Sequence, residues 1–131
     1  MAKPQTFMNN SGKAVKLLTK PYTLDPKNLI VVHDDVDLPL GKIRISVSRS
    51  SAGHKGVESI IHELKTRNFV RFRIGIKPQK TENREQKTEE FVLENFKKDE
   101  EKILKQVIKK TIEAIEIAIR GGTEKAMAKF N

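Results

Sequence analysis

The sequence predicts an α/β fold, a mixed sheet flanked by helices, and three patterns carry that expectation. The first is Leu29–Gly41, LIVVHDDVDLPLG, where a continuous apolar and largely β-branched run reads as a strand covered on both faces. The second is alternation: KIRISV at 42–47 and FVRFRIGI at 69–76 set apolar residues against polar ones with a period of two. The third is helical spacing, with Val57, Ile60, Ile61 and Leu64 falling at i, i+3, i+4 and i+7. Strands interleaved with helices argue for an α/β arrangement.

Taken in order, the chain opens on MAKPQTFMNN, in which Lys3 is extended because it precedes Pro4. Asn10 or Ser11 is placed to cap a helix whose apolar face is Ala14, Val15, Leu17 and Leu18, and Lys20-Pro21 ends it. Asp25-Pro26 turns the chain into a strand over 28–33. This strand runs into His33, Asp34, Asp35 and Asp37, and in open α/β sheets the working residues lie just beyond the carboxyl ends of strands. Acidic groups there are site candidates, and a solvated loop that merely ends the strand is the plain alternative.

In the second strand Ile43, Ile45 and Val47 share one face, with Arg44 and Ser46 on the other. Ser48–Gly56, SRSSAGHKG, is a small basic loop in which Gly53 and Gly56 permit close backbone approach. Arg71 and Arg73 alternate with Phe72 and Ile74 in the third strand. Residues 77–90 lack periodicity and read as a mobile surface loop, followed by a short helical turn over 90–96. Asp99 stands as the cap of a C-terminal helix over 99–120. Ile103, Leu104, Val107, Ile108, Thr111, Ile112, Ile115 and Ile119 form its apolar stripe, and Gly121-Gly122 stops it.

With 131 residues the chain suits one domain, and no internal repeat is visible. No apolar run approaches a membrane span and no signal-peptide core is visible, so no membrane partner is expected. The absence of cysteine excludes disulfides and thiolate metal sites and suits a reducing cytosol. A formal net charge of +9 favours an anionic partner, nucleic acid first, with a simple solubility charge as the alternative. His62-Glu63 begins like a zinc-protease motif, but Thr66 stands where the second ligand belongs. The aspartates lack the glycine and distal glutamate of a calcium loop, and neither a Walker loop nor GxGxxG occurs.

Four separated stretches, KPQTFMN at 3–9, VVHDDVDLP at 31–39, GHKG at 53–56 and FRIGI at 72–76, together resemble bacterial peptidyl-tRNA hydrolase, as does AMAKFN at 126–131. The resemblance implies an esterase that cuts the bond joining a peptide to the 3′ ribose of tRNA, without metal or cofactor. In that family a histidine acts as general base on water and an aspartate orients it. By the resemblance that aspartate is Asp34. Met8 and Asn9 are implied at the peptide site and ester, and Arg73 at a tRNA phosphate. Arg44, Arg49, Lys55 and Arg71 complete the basic set expected along the acceptor stem. Each has a structural alternative: a turn cap for Asp34, ordinary core for Met8, a solvated strand charge for Arg73.

Two departures from the family pattern stand out. The family's catalytic histidine lies in a section that would precede Lys3, and His33, His54 and His62 do not sit where it does. The second asparagine-type position, in the family's GHNG, is Lys55 here; an ammonium cannot accept a hydrogen bond as an amide does. The expectation is a family member truncated at its N-terminus, lacking the first strand, with peptidyl-tRNA as partner, monomeric and cytoplasmic, and inactive as this span alone. The alternative is a non-catalytic, hydrolase-like RNA-binding protein.

Overall fold

Among the described residues the strand order is β1-β3-β2, so the last of these strands in sequence is the middle one of the sheet. The computed structural model describes residues 1–77 and 98–131. In it β1 is Ile30–Pro39, β2 Ile43–Val47 and β3 Val70–Lys77, with helices α1 (Ser11–Thr19), α2 (Lys55–Leu64), α3 (Lys98–Gly121) and α4 (Thr123–Phe130). The mixed α/β architecture is the one expected. The chain divides into two units, one formed by 1–31 with 47–70 and the other by 32–46 with 71–131. The loop and turn expected over 78–96 lie outside the described residues.

In the first unit α1 packs on α2. Gly12 makes the approach possible: its N–H donates to Ser59 Oγ at 3.0 Å, and a Cβ there would fall onto the Ser59 carbonyl. Val15, Val57, Ile60 and Phe69 form the core, with Leu29, Val31, Ile61 and Leu64 packed against it. The expected helix is present, but of its expected face only Val15 is buried, while Leu17 and Leu18 are 72% and 48% exposed. Nor does Asn10 cap α1 through its side chain; a 3-10 turn, Met8–Asn10, leads in, and Ser11 Oγ donates back to the Met8 carbonyl at 2.8 Å. Asp25 behaves as expected, its carboxylate accepting from the Lys27 N–H at 3.0 Å.

In the second unit β1 outruns its expected end and carries the acidic residues within the strand rather than beyond it. Asp35 lies against Arg73, and further along Pro39 lies over Gly75, so β1 and β3 run in the same direction. β3 meets β2 antiparallel: the Gly75 N–H donates to Lys42 O at 2.8 Å and the Leu40 N–H to Lys77 O at 2.7 Å. The chain therefore crosses over β3 between Leu38 and Leu40. Glycine is required at 75, since a Cβ would land on the Pro39 carbonyl oxygen.

Two expectations about strand faces are corrected. Among the described residues β1 lies at the edge of the sheet with Val32 45% exposed, and is not buried on both faces. β3, which reads as half-polar, is central, so Arg71 is only 2% exposed alongside Phe72 at 0%. In β2, Ile45 and Ser46 are both buried and Val47 is exposed. Asn131 pairs with β2 as a strand would: its Oδ1 accepts the Ile45 N–H at 2.7 Å and its Nδ2 donates to Ile45 O at 2.9 Å. Helix α3, Lys98–Gly121, includes Asp99, the expected cap, within its length, and Gly122 at φ +91° separates it from α4.

Candidate functional site

Sequence candidates fall into a group within each unit. In the first, the 3-10 turn carrying Met8 and Asn9 packs against the start of α2. The Met8 side chain and the His54 ring both close over Gly56, each 3.1 Å from where a Cβ would stand. His54 is the N-cap of α2: its Nδ1 accepts the Val57 N–H at 3.2 Å. His54 thus holds the junction between loop and helix, and the adjacent Lys55 is the first residue of the helix, with its side chain exposed. Met8 and His54 are thus held over a position where a side chain larger than hydrogen would push one of them aside, with Asn9 and Lys55 next to it in the chain. Arg49 is exposed in the loop before them. That loop is shaped by positive φ at Ser48, Ala52 and Gly53, and Ser48 Oγ donates to Asn68 Oδ1 at 2.9 Å.

The second group is acidic and basic side chains on paired strands. Arg73 Nε lies 2.9 Å from Asp35 Oδ2, with side chains only 21% and 11% exposed. The Nε–H is not aligned for a hydrogen bond, so the contact is an ion pair held by proximity. Asp35 also accepts the Asp37 N–H through Oδ1 at 2.9 Å, which fixes the carboxylate in place. Asp34 is half-buried beside it, and its carbonyl accepts the Nδ1–H of His33 at 2.6 Å. The ring's other nitrogen, Nε2, is shielded from solvent. Arg44 is exposed on β2, whereas Arg71 is inside.

Of the basic set expected for RNA, then, Arg44, Arg49 and Lys55 face solvent, Arg73 is engaged by Asp35, and Arg71 is enclosed. Asp35 stood among the acidic candidates in the sequence, but its pairing with Arg73 depends on which residues face one another across the strands; alternation along β1 places it on the face opposite Asp34. Gly56 was noted for backbone freedom, but its use is to admit two side chains.

Comparison with known proteins decides the family. The family model described as peptidyl-tRNA hydrolase matches residues 1–131. This chain belongs to the peptidyl-tRNA hydrolase family. Peptidyl-tRNA hydrolase of Aquifex aeolicus is 48% identical over 132 residues, covering 100% of this chain and 67% of the relative. That of Persephonella marina is 44% identical, covering 97% of this chain and 66% of the relative. Among solved structures, a peptidyl-tRNA hydrolase complexed with n-propanol superposes with a TM-score of 0.86 at 27% identity. The enzyme from Acinetobacter baumannii gives 0.85 at 28% identity. Each covers 98% of this chain, which spans 63% of either structure. The chain thus spans about two thirds of the length of the peptidyl-tRNA hydrolases it matches.

Proposed function

We propose that this chain serves peptidyl-tRNA ester hydrolysis in the cytoplasm, supplying substrate-holding parts of the site and no general base. The family match over residues 1–131 carries this reading. Asp34 is the carboxylate that would orient a catalytic histidine; Met8, Asn9 and Lys55 form the peptide and ester side; and Arg44, Arg49 and Arg73 face tRNA phosphates. Arg73 reaches a phosphate only by giving up Asp35, an exchange of one anion for another. Arg71, enclosed in the central strand, acts by holding that strand rather than by touching RNA.

The contacts of the three histidines in the sequence support the reading that none of them is the general base. His54 spends Nδ1 on its helix cap, His33 keeps Nε2 away from solvent, and His62 lies on the outer surface of α2. A base must reach the water it deprotonates. The same observation favours a second reading, a non-catalytic RNA-binding member of the family, in which Lys55 contacts phosphate.

Incubation of the purified chain with N-acetyl-aminoacyl-tRNA tests both. The expected outcome is salt-sensitive tRNA binding without release of the amino acid. Ester cleavage at a rate typical of enzymes, roughly 1 per second or faster, would overturn the claim that this span lacks a base. Failure to bind tRNA at low salt would overturn both readings.

A further inference from the structure

Helix α3 is charged unevenly along its length. Lys102, Lys105, Lys109 and Lys110 are all exposed, and no acidic residue stands between the first and the last of them. The acids of the same face come later, at Glu113 and Glu116. Lys102, Lys105 and Lys109 fall at i, i+3 and i+7, a stripe about 10 Å long at 1.5 Å per residue. It faces away from the buried Val107, Thr111, Ala114 and Ala118.

This arrangement works against the helix, because like charges three and four residues apart repel. Nothing nearby offsets the repulsion. Among the described residues none of the four lysines has a carboxylate at ion-pair distance. Glu113, four residues beyond Lys109, is taken by Lys129 at 2.6 Å instead. Cations gathered on one exposed face and left unpaired are the footprint of an anionic partner lying along the helix.

We infer that this stripe of α3 lies along the phosphate backbone of an RNA helix, with Gln106 among the contacts. Lysine neutralises phosphate as a point charge and reads no sequence. Gln106 is exposed and stands three or four positions from Lys102, Lys109 and Lys110. Its amide both donates and accepts, as a bond to a ribose 2′-hydroxyl requires. The choice of RNA rests on the peptidyl-tRNA reading above, whose ester-side residues are others.

A blunt RNA duplex, with neither a single-stranded end nor an ester, isolates this surface. Fluorescence anisotropy with the full chain should show salt-sensitive binding. Lys102→Gln, Lys105→Gln and Lys109→Gln combined should weaken it by at least about tenfold at low salt and flatten the log–log salt slope by about 2 to 3. The melting temperature should hold or rise, since repelling charges have been removed. Gln106→Ala should narrow the preference for this duplex over DNA of the same sequence. A triple variant that binds the duplex as the parent does would overturn the proposal. So would a parent that binds tRNA but not the blunt duplex; in either case the peptidyl-tRNA reading stands. A parent that binds the DNA duplex equally well removes the role given to RNA. Failure to bind tRNA and duplex alike removes both readings together.

Discussion

The Lys16–Glu63 pair shows how a single contact reads out in solution. Lys16 Nζ donates to Glu63 Oε2 at 3.0 Å, and this hydrogen bond, opposed by partial burial, lowers the Glu63 pKa from its ordinary 4.5. A carboxylate whose pKa falls on folding stabilises the native state above the unfolded value and loses that contribution as pH drops through the folded one. NMR titration should place the Glu63 midpoint below 4.5 and Lys16→Met should move it upward. The Asp35–Arg73 pair is tested by removal instead, because neither side chain is well exposed. Asp35→Ala would leave the guanidinium half-buried without its counter-ion and should cost about 2 kcal/mol in a urea melt. The same variant frees Arg73 for phosphate, so its tRNA affinity at low salt should hold or rise among molecules that remain folded. Neither pair was legible in the sequence. Lys16 and Glu63 lie on different helices, and nothing local announces that Asp35, rather than Asp34, meets Arg73.

At the scale of elements, local chemistry was the more readable. The helical spacing of Val57, Ile60, Ile61 and Leu64 located α2, and the strand alternations located β2 and β3 within a residue at either end. What alternation does not carry is a strand's position in the sheet. β3 has polar residues on alternate positions yet lies in the middle, so Arg71 is enclosed where a solvated face was expected. The apolar start of β1 read as a covered strand and instead lies at the edge of the sheet formed by the described residues. His54 was placed correctly in its loop, and its use as a cap is testable: His54→Ala should destabilise α2 by about 1 kcal/mol, whereas His54→Asn should recover most of that in the same thermal melt. Gly75 admits less compromise. A methyl there collides with backbone, which cannot rotate away, so Gly75→Ala should cost at least about 4 kcal/mol or leave the chain unfolded by circular dichroism.

Across the whole molecule, net charge made an anionic partner readable, but structure decides which charges reach the surface. Arg44, Arg49 and Lys55 are exposed, Arg73 is paired with Asp35 and Arg71 is enclosed. If the exposed residues are the phosphate contacts, the log of the tRNA binding constant should fall with log salt at a slope of roughly −2 to −3. Replacing any one of them with alanine should flatten the slope by about 1, as fluorescence anisotropy would show.

The order β1-β3-β2 also has a consequence for biosynthesis. β1 and β2 leave the ribosome nearly together, separated only by Leu40–Lys42, yet they never pair with each other; each pairs with β3. A nascent chain therefore holds two strands with no partner until residue 77 has cleared the exit tunnel. The natural shortcut, a hairpin between neighbours, is a trap that must be undone before β3 can take its place. Folding during translation should consequently wait on β3, and synthesis paused between Val47 and Val70 should leave a protease-sensitive, aggregation-prone intermediate.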